Sequence, residues 1–187
     1  MAKEKPSSYC EFVATLEKNH VDRVYHDTQY GFPVRTDHEL FGRLILEINQ
    51  AGLNWTTILK KQKNFRRAYS QFKIEEVAAY GQTDIDRLLN DAGIIRNRLK
   101  INAAIYNANS ILELKKEFGS FKKWLDRHHP LCLKDWVKLF KKTFKFTGPE
   151  ITNEFLMSTG YLRGAHIEEC EIFELLQSHK PRWSDNT

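Results

Sequence analysis

Between Thr36 and Gly52 the chain places Leu40, Phe41, Leu44, Ile45 and Ile48 at helical spacing, which commits the segment to a helix with one apolar stripe. Its start is marked by Thr36 and Glu39, the two ends of a capping box, and its stop by Gly52. Glu47 lies three residues after Leu44 and seven after Leu40, so a carboxylate occupies the stripe that should be core. Two readings follow. A carboxylate on the buried face at a helix end, beside a tight Gly turn and Trp55, can line a pocket. It can equally be a paired Glu at the edge of a helix bundle.

The same punctuation recurs along the chain, and no segment shows convincing strand alternation. A helix is expected from Asn54 through TTILKKQKNF, and a short one over IEEVAAY that stops at Gly81. Thr83 is expected to cap DIDRLLND, followed by the longest helix, from about Arg96 to Phe118. Ser120 caps FKKWLDRHH, which Pro130 closes; a segment from Trp136 to Phe144 comes next. Gly148-Pro149 opens a helix that ends at Gly160, and a final one is expected from about His166 to Ser178, leading into a polar tail. The expected fold class is all-α, a compact bundle of short helices forming a single domain over residues 1–187.

Composition narrows the partners. Hydrophobic residues make up 41% of the 187, enough for a core, and twelve Phe, seven Tyr and four Trp supply flat apolar surface. The formal net charge is +5, with acid-free clusters at Lys60, Lys61, Lys63, Arg66 and Arg67 and at Lys138, Lys141, Lys142 and Lys145. Such clusters suit a polyanion, or else form solvated helix faces. Three widely spaced cysteines make no disulfide framework, and the opening MAKEKPSSYC has no apolar stretch behind it. No run approaches the ~20 apolar residues that span a bilayer. The expectation is a cytoplasmic protein with no membrane partner.

One connection is unusually tight. About four residues, Ala92-Gly93-Ile94-Ile95, separate DIDRLLND from a helix that opens with Arg96, Arg98 and Lys100. Unpaired N–H groups at a helix N-terminus attract anions, so this is either a phosphate clamp or a plain αα-hairpin with a charged solvent side.

NQAGLNWTTILKKQKNFRRAYSQF, DAGIIRNRLKINAAIYNA and YHDTQYGFP together resemble the 3-methyladenine DNA glycosylase I family, part of the helix–hairpin–helix superfamily of DNA repair glycosylases. The likeness runs from about Tyr25 to Ala108 and resumes in KKTFKFTGPEITNEFLMSTG. It implies a glycosylase fold with the helix–hairpin–helix at about residues 84–117. It also implies a monofunctional enzyme of base-excision repair that flips 3-methyladenine out of double-stranded DNA and hydrolyses its glycosidic bond. On this resemblance Glu47 is the catalytic carboxylate that hydrogen-bonds the base, and Tyr25, Tyr30 and Trp55 are the pocket aromatics that favour a cationic purine. Leu53 plugs the gap left by the extruded nucleotide, while Gly93, Arg96, Arg98 and Lys100 contact DNA. A DNA-lesion-binding module without glycosylase activity is the alternative. A monomer is expected.

The resemblance further implies a structural zinc joining the two ends of the chain, with Cys10 and His26 as one half of the site and His166 and Cys170, four apart in an expected helix, as the other. Cys132 is left without a role. The chain departs from the family's usual pattern at Tyr30, where Trp is common, and at Asp22, which replaces a second Tyr and is expected to face solvent. It departs also at Phe12, where Trp is common, at Ile48-Asn49, in the length of the His129–Lys138 stretch, and in a Cys10–His26 spacing longer by about three residues.

Overall fold

The computed structural model describes residues 6–186, so the charged opening MAKEK and the final Thr187 lie outside it. Those residues form helices and connecting turns, with no strand among them. Helices α1 (Tyr9–Ala14) and α2 (Val21–Thr28) precede α3 (Asp37–Gln50) and α4 (Trp55–Ala68). Then come α5 (Ile74–Ala78), α6 (Gln82–Asn90), α7 (Arg98–Phe118), α8 (Phe121–His128), α9 (Leu133–Thr143), α10 (Pro149–Ser158) and α11 (Phe173–Ser178). Among the described residues, no helix is long and apolar enough to cross a membrane.

Helix α3 is the axis of the fold. Thr36 Oγ1 accepts from the Glu39 N–H at 3.3 Å and donates to the Glu39 carboxylate at 3.1 Å, which closes the expected cap. Every residue from Leu40 to Asn49 is buried, so α3 is covered on all sides by α4, α7, α8 and α10. Gly42 permits a close approach by Phe72, on the turn Ser70–Phe72 that follows α4: a Cβ at Gly42 would lie 2.4 Å from Phe72 Cδ2. The far end of the core is aromatic. Trp124 lies with its ring centroid 5.7 Å from Phe140 and 5.6 Å from Phe144, and Trp136 stands edge-on to Phe140 at 5.9 Å. Full burial of each such ring contributes roughly 1.5–3 kcal/mol, which anchors α8 and α9 to the bundle.

Several boundaries differ from the sequence reading. Gly81, rather than Thr83, caps α6, because the Asp84 carboxylate turns back to accept from the Gly81 N–H at 3.2 Å. Helix α7 begins at Arg98 because the Asn97 side chain accepts from the N–H groups of Leu99 and Lys100 at 3.0 and 3.2 Å. Helix α9 starts at Leu133, before Trp136. The expected last helix is shorter: Gly160–Ile172 is a chain of turns and bends, and α11 starts only at Phe173. Gly160 (φ +81°) and Gly164 (φ +127°) bend that segment, and a Cβ at Gly160 would meet the Gly31 carbonyl at 2.9 Å.

Candidate active site and metal centre

Glu47 ends up where the apolar stripe of α3 meets a second, smaller core made by Tyr25, Tyr30, Leu59 and Ala165. A cleft of about 390 Å³ opens there, lined by Tyr9, Tyr25, Tyr30, Glu47, Gln50, Trp55, Glu150 and Glu154. The three aromatics singled out in the sequence thus converge with the carboxyl. Tyr25 stands edge-on to Trp55, ring centroids 5.3 Å apart, and 5.7 Å from Tyr30.

The electrostatics of the cleft are set by burial. Glu47 is only 3% exposed, and burial pushes its carboxyl up to about 8; Arg43 opposes the rise, Glu154 adds to it, and a hydrogen bond with Ser158 works against it. Arg43 lies one turn before Glu47 on α3. Its guanidinium donates to the Tyr25 hydroxyl at 2.7 Å and to the Ser158 carbonyl at 3.4 Å, and sits 5.1 Å from the Tyr25 ring centroid. Burial likewise raises the phenols of Tyr25 and Tyr30, which stay neutral, and raises the Glu154 carboxyl, against which the Tyr30 hydroxyl acts by donating at 3.2 Å. Chemically this is a slot of π faces with acceptor groups at its edge, suited to a flat ring that carries positive charge and N–H donors.

Tyr9, Gln50, Arg43, Glu150 and Glu154 escaped the sequence reading. Two of them carried a signal. Arg43 is four residues from Glu47 and Glu154 four from Glu150, so each pair shares a helix face. Asp22 is a correction: it is buried at 1% exposure rather than facing solvent, because α2 buries residues 22, 25 and 26 on one face. Its Oδ1 accepts from the Tyr9 hydroxyl at 3.1 Å, which holds Tyr9 at the cleft wall.

Leu53 is 40% exposed on the turn that Gly52 makes at φ +80°, between the cleft residues Gln50 and Trp55. Gly93 lies in the α6–α7 connection, where its N–H donates to Asp91 Oδ1 at 2.7 Å, and Lys61 Nζ donates to the Ala92 carbonyl at 2.8 Å, tying the connection to α4. Arg96 and Arg98 are exposed there, Arg98 Nη2 being 3.5 Å from Asp86. Lys100 departs from the expected role of a DNA contact. Its Nζ is turned inward and donates to the carbonyls of Asn49 and Ala51 at 3.0 and 2.8 Å, with only 6% of the residue exposed. A helix C-terminus leaves carbonyls unpaired, and the ammonium satisfies them.

Four residues from both ends of the chain meet beside the cleft. The ligating atoms of Cys10, His26, His166 and Cys170 all lie within 4.8 Å of one another. Cys170 Sγ is 3.7 Å from His26 Nε2 and 3.4 Å from His166 Nδ1, and Cys10 Sγ is 3.9 Å from His166 Nδ1. A tetrahedron with metal–S bonds of about 2.3 Å and metal–N bonds of about 2.0 Å has edges of roughly 3.5 Å, so the spacing fits one ion. The outward nitrogens are already engaged: His26 Nδ1 with Asp27 at 2.7 Å and His166 Nε2 with the Tyr30 carbonyl at 2.8 Å. Such partners fix the tautomer of a metal-binding imidazole. Burial holds His166 down at about 4, hence neutral, and raises the Cys10 thiol to about 11. His166 and Cys170 converge from a turn rather than from the expected helix. Cys132 is exposed and contacts Asp135 at 3.3 Å, away from the cluster.

Fold and cleft together define an all-helical protein, over the described residues, with an aromatic cleft edged by carboxyl groups. The sequence pattern of the family described as methyladenine glycosylase matches residues 15–136. DNA-3-methyladenine glycosylase 1 of Escherichia coli K12 is 34% identical over 165 residues, covering 78% of this chain and 88% of its own. The solved structure of 3-methyladenine DNA glycosylase I from Staphylococcus aureus superposes with a TM-score of 0.77 at 31% identity, over 83% of this chain and 93% of that one. A variant of the same enzyme type solved in complex with 3-methyladenine gives 0.75 at 31% identity, over 83% and 94%. The chain belongs to the methyladenine glycosylase family.

Proposed function

We propose that Glu47, Tyr25, Tyr30 and Trp55 form the base pocket for the family's reaction: the chain is a base-excision repair enzyme, an N-glycosyl hydrolase that removes 3-methyladenine from alkylated DNA. In DNA this base carries a positive charge, which weakens its bond to the sugar. It must leave the duplex stack to be reached, and the π faces and the Glu47 carboxylate favour the extruded cation. Water attacks C1′ of the deoxyribose, the C1′–N9 bond breaks with its electron pair going to the base, which departs neutral, and the proton of the water passes to solvent. Leu53, on the exposed turn before Trp55, fills the vacated space in the stack. The α6–α7 connection serves as the helix–hairpin–helix, with Gly93 allowing the backbone close to phosphate and Arg96 and Arg98 neutralising it. Lys100 acts from behind, holding the α3–α4 turn in place.

Cys10, His26, His166 and Cys170 hold a structural zinc that pins α1 and the 160–172 segment to α2, and so keeps Tyr25 and Tyr30 at the pocket wall. The whole chain works as one domain, as a monomer on double-stranded DNA, in the cytoplasm. The observation that carries the reading is a fully buried carboxyl at the edge of an aromatic cleft, with Arg43 and Tyr25 bonded behind it. Incubation with N-methylated duplex DNA tests it. Release of 3-methyladenine by the wild type, abolished in Glu47→Ala, supports the enzyme; tight binding of the duplex without release would refute it.

A further inference from the structure

A second cavity, of about 430 Å³, lies where the end of α2 and the loop after it meet α3 and α4, and it shares no lining residue with the base cleft. Phe32, Val34, Leu46 and Phe72 give it apolar surface. Three cations line it, Arg43 from α3 and Lys63 and Arg66 from α4, against one carboxylate, Glu39. That carboxylate is engaged at the start of α3, where it accepts from the Thr36 hydroxyl.

Arg43 carries the argument. Only 8% of it is exposed, yet its guanidinium forms no ion pair with a described carboxylate. Nη1 makes its two hydrogen bonds, to Tyr25 and Ser158, whereas Nε and Nη2 bond no described residue and are not among the polar atoms sealed from solvent. Arg43 lines this cavity and not the base cleft, so the free edge of the guanidinium opens here. A buried charge is costly until an opposite charge meets it, and adjacent N–H groups in a fork match the oxygens of an oxyanion. Lys63 and Arg66 are exposed and make no ion pair with a described residue, and Arg66 is held over the Phe72 ring, 5.3 Å from its centroid. Gln29 Oε1 accepts from Gln62 Nε2 at 3.1 Å, which leaves the Gln29 amide nitrogen as a further donor. Three cations against one engaged carboxylate leave a surplus of two positive charges, close to what a phosphate monoester carries with opposite sign.

We propose that this cavity binds an organic phosphate monoester, its phosphate on Arg43, Lys63 and Arg66 and its apolar body on Phe32, Val34, Leu46 and Phe72. The site needs neither DNA nor an extruded base. Arg43 nevertheless serves both cavities, since its Nη1 holds the Tyr25 hydroxyl at the base cleft.

Isothermal titration of the full chain at fixed ionic strength tests the site with two probes, phenyl phosphate and inorganic phosphate. Phenyl phosphate should bind at one site, and more tightly than inorganic phosphate, because only it covers the apolar surface. Lys63→Ala combined with Arg66→Ala, both exposed positions, should keep the thermal midpoint of the free protein and weaken phenyl phosphate binding by about tenfold or more. Arg43→Lys, which keeps the charge and loses the fork, should weaken it as well. Absence of binding by the wild type, equal affinity for the two probes, or unchanged affinity in the double variant would each overturn the proposal. A loss of duplex DNA affinity in the double variant that matches its loss for phenyl phosphate would assign the cations to the DNA backbone and overturn it too.

Discussion

Lys100, in the first turn of α7, donates its ammonium to the carbonyl of Ala51 at 2.8 Å and thereby fastens α7 to the turn that carries Leu53 and leads into Trp55 at the start of α4. Burial lowers its affinity for the proton, so the side chain holds its charge against desolvation to make these bonds. Replacement by Met keeps the alkyl stem but leaves the Asn49 and Ala51 carbonyls unpaired. Lys100→Met should lose about 1–3 kcal/mol of stability in urea unfolding. It should also lower kcat/KM for base release, because the turn beside the cleft loosens. Unchanged stability would show that the contact is incidental.

The exposed arginines should behave differently from this buried lysine. Each phosphate contact releases counterions, so affinity for duplex DNA should fall steeply with salt, and Arg96→Ala and Arg98→Ala should each reduce the log–log slope by about 1. Lys100→Met should leave the slope unaltered. A slope unmoved by either arginine substitution, measured by fluorescence anisotropy across a salt series, would place the phosphate contacts elsewhere.

Glu47 makes two pH predictions of definite sign. Its folded-state value, about 8, lies above the ordinary 4.5, so the native state holds a proton that the unfolded chain has lost. The contribution to stability is full below about pH 4.5 and disappears as pH rises through 8. Glu47→Gln should therefore flatten this part of the stability profile and be more stable than wild type at pH 9, by roughly 2–4 kcal/mol. Activity runs the other way, since the carboxylate must be free to receive a cationic base. kcat/KM for 3-methyladenine release should decline as pH falls below about 8, and equal stability of the two proteins across the range would contradict the burial argument.

Metal content offers an independent check on the Cys10, His26, His166 and Cys170 cluster. Purified protein should carry one equivalent of zinc by atomic absorption, and His166→Ala should carry markedly less. Chelation should lower the thermal midpoint; a loss of about 3 kcal/mol corresponds to roughly 6–12 °C for a chain of this size. Metal-free protein with an unchanged midpoint would reduce the cluster to packing.

Much of this was legible in advance because local rules and global packing agree. The α3 stripe, its Thr36 cap, the Ser120 cap and the helix starts near Asn54 and at Pro149 all depend on neighbours within four residues, and all are where the spacing put them. Glu47 drew attention for the same reason, as a charged residue out of place on an apolar face. What escaped depends on distant partners. Asp22 reads as a solvent residue until Tyr9 is known to cover it, and Lys100 reads as a DNA contact until the end of α3 is placed beneath it. His166 and Cys170 do share a cluster, but through a Gly-bent turn in place of a helical face. Glu154 was missed because only the third dimension brings α10 against α3 at the cleft.

The most direct trial of the account is a crystal structure with 3-methyladenine bound. The base should lie in the cleft beside Trp55, its exocyclic amine within about 3 Å of a Glu47 oxygen. Density for the base at another site, or a Glu47 carboxyl turned away from an occupied cleft, would contradict the assignment.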